Sequence, residues 1–109
     1  MRNKYNAVKT RVGDLIFDSK AEAKRYKELK LLEKAGEIMN LELQPRYDFH
    51  INGVKLGFYK ADFKYIVGDG GWTPFKVVVE DVKGMKTPVY NLKKKLMLAL
   101  HGIEILETK

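Results

Sequence analysis

The apolar residues of this chain change period twice, and those changes confine the fold more than any other feature. From Ser19 to Ala35 they recur at helical spacing, with Ala23, Tyr26, Leu29 and Leu32 on one side. Ser19 is a natural N-cap, Glu22 stands three residues on as in a capping box, and Gly36 is the expected stop. The period then becomes two. Leu41–Ile51 reads as a strand, with Pro45 implying an edge or a bulge. Asn52-Gly53 is a strong hairpin signal, and Leu56–Val67 answers as a second strand. After the loose turn Gly68-Asp69-Gly70-Gly71, Phe75–Lys83 forms a third, whose Val77-Val78-Val79 run implies burial on both faces and a central place. Helical spacing returns at Thr87-Pro88, an N-cap followed by proline at the first helical position. Val89, Leu92, Leu96, Ala99 and Leu100 form the expected apolar stripe, and Gly102 the end. Ile103–Leu106 reads as a last strand, parallel to a neighbour because a helix precedes it.

The expected fold is therefore α/β: a mixed sheet, made of a three-strand antiparallel meander plus a later strand, flanked by two helices. A short hairpin precedes it in Ala7–Phe17, turning at Gly13-Asp14. With 109 residues the chain has the size of a single domain and a thin core, which a partner subunit would help.

The 21 Lys and Arg against 14 Asp and Glu leave a net charge of +7, an excess that suits a polyanion partner such as nucleic acid, with plain solubility as the alternative. Cysteine is absent, which excludes disulfides, thiol catalysis and cysteine-based zinc sites and fits a reducing, cytoplasmic setting. Two histidines are too few for a histidine-built zinc site. No apolar run is long enough for a bilayer, and the basic start Met1–Tyr5 lacks the core of a signal peptide, so no membrane role is expected.

Three stretches carry candidate chemistry. In Val79-Glu80-Asp81-Val82-Lys83, Asp81 and Lys83 share one face of a strand while Glu80 takes the other. A carboxylate beside an ammonium at the end of a buried strand is costly unless paired or used. Phosphodiester hydrolysis uses such a pair, the carboxylate to hold a hard divalent cation and the lysine to orient the attacking water and balance charge. A surface salt bridge is the structural alternative. Asp62, in Tyr59-Lys60-Ala61-Asp62-Phe63, is poorly suited to a strand interior. A cation shared with Asp81 would explain it, and so would a bulge or a hydrogen-bonded turn. Glu22 falls with Tyr26 and Leu29 on the helix face that meets the sheet, where it can cap the helix, reach the site, or do both.

Phe17-Asp18-Ser19-Lys20-Ala21-Glu22, Tyr59–Phe63 and Val79–Gly84, in that order, resemble the successive motifs of the PD-(D/E)XK nuclease superfamily. More narrowly they resemble a small phage-encoded family within it, over nearly the whole chain. The resemblance implies a restriction-endonuclease-like core and a Mg²⁺-dependent DNA endonuclease, with Mn²⁺ able to substitute. Asp62, Asp81 and the backbone carbonyl of Val82 would ligate the metal, Glu22 would complete the site, and Lys83 would be the catalytic lysine. Ala61 stands where proline often precedes the aspartate, and Asp81 where glutamate is commoner. Small basic members of the superfamily often resolve branched DNA as homodimers, which by analogy implies double-stranded or branched DNA as partner, a homodimer as assembly, and the host cytoplasm as location. The alternatives are a non-catalytic nucleic-acid-binding protein and an interaction module of a replication complex.

Lys86, Lys93, Lys94 and Gln44 are the candidate phosphate contacts, each balanced by the plain reading of a solvated lysine or a satisfied strand residue. Lys95, and Lys20, Lys24, Arg25 and Lys27 on the first helix, are weaker candidates. Trp72 is expected to cap the core, with base stacking as the alternative. His50 and His101 are expected to be structural. Arg2, Lys4, Lys9 and Arg11 form either a basic arm or a frayed end.

Overall fold

Residues 8–109 are described in a computed structural model. The start of the expected hairpin at Ala7, and Arg2 and Lys4 of the basic arm, lie outside the described residues. The hairpin itself forms from β1 (Thr10–Val12) and β2 (Leu15–Phe17), turning through Gly13 at φ 61°.

Helix α1 (Lys20–Lys34) starts where Ser19 accepts a hydrogen bond from the N–H of Glu22, and Gly36 follows it at φ 82°. Its inward face carries Ala23 and Leu29, fully buried, with Tyr26 half-buried.

Each of the two long strands expected between residues 41 and 67 is broken in the middle. The first becomes β3 (Ile38–Leu43) and β4 (Arg46–Ile51), the second β5 (Val54–Lys60) and β6 (Phe63–Val67). The breaks lie opposite each other. Gln44 takes a left-handed conformation at φ 50°, ahead of Pro45, which has no N–H to give a ladder. Across from them, the N–H of Gln44 donates to Asp62 O at 3.0 Å and the N–H of Ala61 to Pro45 O at 3.1 Å. The kink is thus shared, and β4 and β5 leave the main sheet as a separate two-stranded ribbon whose turn is Asn52-Gly53.

The main sheet has the order β3-β6-β7-β8. β7 (Lys76–Val82) is central, antiparallel to β6 and parallel to β8 (Leu106–Thr108). The mixed sheet, its antiparallel core and the parallel last strand agree with expectation. β8 begins three residues later than expected, because the chain needs Ile103–Ile105 to cross from α2 to the sheet, burying Ile105 on the way.

Helix α2 (Pro88–His101) is capped by Thr87 and ends at Gly102 in the left-handed region. Its expected apolar stripe is corrected. Tyr90 and Met97 are the buried residues; of the stripe only Leu96 packs against the core, while Val89, Leu92, Ala99 and Leu100 are exposed. The aromatic ring of Tyr90 and the flexible Met97 fill the space that the helical count assigned to the branched residues.

The sheet is covered on both sides. Val78 and Val82 pack with Ala23, Leu29, Phe63 and Tyr65 on the α1 side. Val79 packs with Tyr90, Met97, Phe49 and Tyr59 on the other, where α2 and the base of the ribbon meet. Trp72 caps nothing: it stands 100% exposed in the turn before β7. Among the described residues, no helix is long and apolar enough to cross a membrane.

Candidate active site

The site lies at the C-terminal end of β7, where period-two alternation splits four consecutive residues between the two faces of the sheet. Glu80 and Val82 face α1; Asp81 and Lys83 face α2. Asp81 is 2% exposed, and its Oδ1 lies 3.3 Å from Nζ of Lys83. Lys83 is only partly covered, and its ammonium sits 4.4 Å from the centre of the Tyr90 ring.

Asp62 occupies the break between β5 and β6 rather than a strand interior. That answers its poor strand propensity, because the break releases its side chain from the ladder. Its Oδ2 accepts the N–H of Val82 at 2.7 Å, so Asp62 reaches across to the end of β7. Burial, and a hydrogen bond and like charge from Asp81, push its carboxyl up to about 9. Asp62 and Asp81 thus converge on the same strand end, one through the Val82 N–H and the other from β7 itself. The Lys83 N–H donates to Thr108 O on β8. Since a trans peptide sets C=O opposite the following N–H, the Val82 carbonyl points the other way, toward Asp62.

Glu22 enters from the first turn of α1. Burial is the main cause raising its carboxyl, followed by the negative charges of Asp18 and Asp81; Lys83 and the Asp18 backbone pull the other way. It lines a narrow cleft of about 160 Å³ together with Asp62, Gln44, Phe17 and Phe63. Larger grooves of 500–640 Å³ exist on other surfaces, but none is lined by Glu22, Asp62 or Asp81. Among the described residues no three His, Cys, Asp or Glu side chains form a ready-made cation cage. Glu22 shares the cleft with Asp62, while Asp81 acts on it only through its charge.

The candidate phosphate contacts divide. Gln44 reaches the cleft because its left-handed backbone turns it out of the ladder. Lys86 and Lys94 converge on Oε1 of Glu107, at 3.0 and 3.2 Å. Lys93 points instead toward the ribbon, 5.3 Å from the centre of the Phe58 ring.

Sequence reasoning missed three residues here. Tyr59 on β5 donates its hydroxyl to Oδ2 of Asp81. Tyr90 donates to Oε2 of Glu107 at 2.7 Å and underlies Lys83. Glu107 gathers Lys86, Lys94 and Tyr90, and these partners hold its carboxyl down to about 2, the Tyr90 hydrogen bond foremost. His101 is structural, as expected, with Nε2 2.9 Å from the carbonyl of Asp48.

A family model described as "Protein of unknown function (DUF1064)" matches residues 2–104. The chain belongs to the DUF1064 family. The match takes in every residue of the candidate site except Glu107. No curated protein and no solved structure matches the chain.

Proposed function

We propose that this DUF1064 chain is a Mg²⁺-dependent DNA endonuclease acting on double-stranded or branched DNA, and that its sheet is a restriction-endonuclease-like core. The observation that carries this reading is the end of β7, where Asp62 accepts the Val82 N–H at 2.7 Å and Asp81 lies 3.3 Å from the amine of Lys83. Burial and the neighbouring Asp81 disfavour the charged form of Asp62, and a hard divalent cation held by the two would offset both. The donor set fits Mg²⁺ or Mn²⁺: oxygen only, from Asp62, Asp81 and the Val82 carbonyl, with Glu22 completing it by rotation about its own side chain. When bound, such a cation polarises a phosphate oxygen and acidifies a bound water.

The chain's own residues supply the remaining requirements. Lys83, braced on the Tyr90 ring and on Asp81, directs a donor at a water or a non-bridging phosphate oxygen. Gln44 offers an amide from the far lip of the cleft. Lys86 ahead of α2, and Lys93 and Lys94 on it, would offer positive charge to neighbouring phosphates, Lys86 and Lys94 on release from Glu107. A homodimer would present a second site to a second strand. This reading places the protein in the cytoplasm, the host's if it is phage-encoded.

The test is a cleavage panel with Mg²⁺ and Mn²⁺ over linear, flapped, nicked and four-way DNA. Cutting by the wild type, lost in Asp81→Ala, is the expected result. A second reading is a non-catalytic nucleic-acid-binding protein that keeps the fold. It is favoured by the lack of a three-carboxylate cage among the described residues and by the engagement of Asp81 with Tyr59. Salt-dependent DNA binding with no cutting under either metal would select it.

A further inference from the structure

Glu80 and Asp81 are neighbours on β7 with opposite duties. Glu80 is 0% exposed on the face that α1 covers. Its Oε2 accepts from Arg25 Nε at 2.7 Å and from Thr108 Oγ1 at 3.1 Å. Its Oε1 accepts from Arg25 Nη2 at 3.0 Å and from the Tyr65 hydroxyl at 2.7 Å. Three donor residues from three elements, α1, β8 and β6, meet on one β7 carboxylate.

At its far end α1 is tied to the sheet where Glu33 Oε2 accepts the N–H of Leu41 on β3 at 3.1 Å; its remaining contacts are apolar, chiefly Ala23 and Leu29 against Phe17, Phe63, Tyr65 and Val82. Such contacts hold a helix down without saying how far along the strand it sits, because hydrophobic attraction has no direction. A two-pronged guanidinium–carboxylate pair does specify distance and angle. Arg25 lies three residues beyond Glu22, on the same side of the helix. The first turn of α1 is thereby referenced to the backbone that carries Asp81. A buried ion pair is a poor source of net stability, so its presence asks for a role in geometry.

We infer that Arg25 is a positioning residue: through its fork on Glu80 it fixes the first turn of α1 so that Glu22 stands in the cleft with Asp62, and thereby sets the divalent-cation affinity of the site. The inference rests on the metal-site reading above.

The experiment is calorimetric titration of the full chain with Mn²⁺, without DNA. Arg25→Met with Glu80→Gln removes the fork, leaves no buried charge, and keeps an acceptor for Tyr65. This pair is expected to fold and to bind Mn²⁺ about ten- to hundredfold more weakly, the range for groups that orient ligands. Adding Glu22→Gln to it should weaken binding no further than Glu22→Gln does alone, because both changes remove the same ligand. Unchanged affinity in the pair, or losses that simply add, overturns the inference and leaves the nuclease reading standing. Should the pair not fold, Arg25→Lys keeps the charge and loses the fork, and several-fold weaker Mn²⁺ binding is then expected; wild-type affinity overturns the inference. A wild type that binds no Mn²⁺ at all removes both readings together.

Discussion

The Tyr59 hydroxyl donates to Oδ2 of Asp81, while Lys83 occupies the neighbourhood of Oδ1, so one buried carboxylate is shared between a ribbon strand and its own strand end. The contact ties β5, which has left the main sheet, back to β7. It also competes with any cation for Oδ2. Tyr59→Phe is therefore expected to lower the metal-free stability by about 1.5–3 kcal/mol, the usual worth of a hydrogen bond to a charged group. Divalent cation should restore more stability to this variant than it adds to the wild type. Thermal melts in EDTA and in Mg²⁺ read both effects, and equal gains from Mg²⁺ in the two proteins would show that the hydroxyl and the cation do not compete.

Asp62 gives a pH dependence of definite sign. Its carboxyl is raised from near 3.8 to about 9 in the folded chain. A raised pKa means the native state holds its proton more tightly than the unfolded state does. The associated stability is complete below about pH 4 and is lost progressively as pH rises toward 9. Asp62→Asn removes that loss. In EDTA at pH 8 the variant should melt several degrees above the wild type, since ~1 kcal/mol is worth about 4–8 °C in a domain of this size. At pH 4 the two should converge, and Mg²⁺ should stabilise only the wild type. A variant that melts lower than wild type at pH 8 would mean that the Val82 N–H contact, not the acidic pair, dominates at this position.

Lys83→Met keeps the length of the stem that lies over Tyr90 and removes the amine. If the amine acts on the reacting phosphate, single-turnover cleavage should fall by about 10²–10³-fold, as for a lost oxyanion donor. DNA affinity should change only a few-fold, because many lysines share the phosphate contacts. A parallel fall in affinity and rate would assign Lys83 to binding alone.

The residues that were legible before any coordinates are those whose role follows from alternation. Asp81 and Lys83 on one face, Glu80 on the other, is a period-two statement, and the structure has it so. Caps were legible for the same local reason: Ser19 and Thr87 bond where the spacing puts them. The break at Gln44-Pro45 was half legible, since proline implied an irregularity. Its partner at Ala61-Asp62 was not, because the coupling runs across the pair of strands and leaves no local mark. Tyr59 and Tyr90 are buried aromatics, and only the tertiary fold aims their hydroxyls at Asp81 and Glu107. Arg25 was one lysine-like charge among several on α1, because nothing in its own segment announces Glu80. The α2 stripe failed where helical counting met real shape. Tyr90 and Met97 reach inward, and Val89 and Leu92 on the same helix stay outside.

Glu107 offers a test of how the lysines are used. One carboxylate oxygen holds both Lys86 and Lys94, so these two are partly neutralised before any phosphate arrives. Its depressed pKa, about 2, means that its contribution to stability is present above its ordinary carboxylate range and disappears as pH falls toward 2. Its lysine partners stand in solvent, 56% and 36% exposed, so screening keeps that contribution small. Glu107→Gln is therefore expected to leave the melting temperature at neutral pH almost unchanged. Its effect should lie in DNA binding, where two released ammoniums gain access to phosphates. The slope of log Kd against log salt should steepen by up to about 0.9 for each lysine recruited, with affinity higher at low salt. An unchanged slope would mean that Lys86 and Lys94 never touch the backbone, and that Glu107 serves only to join α2 to the last strand through Tyr90.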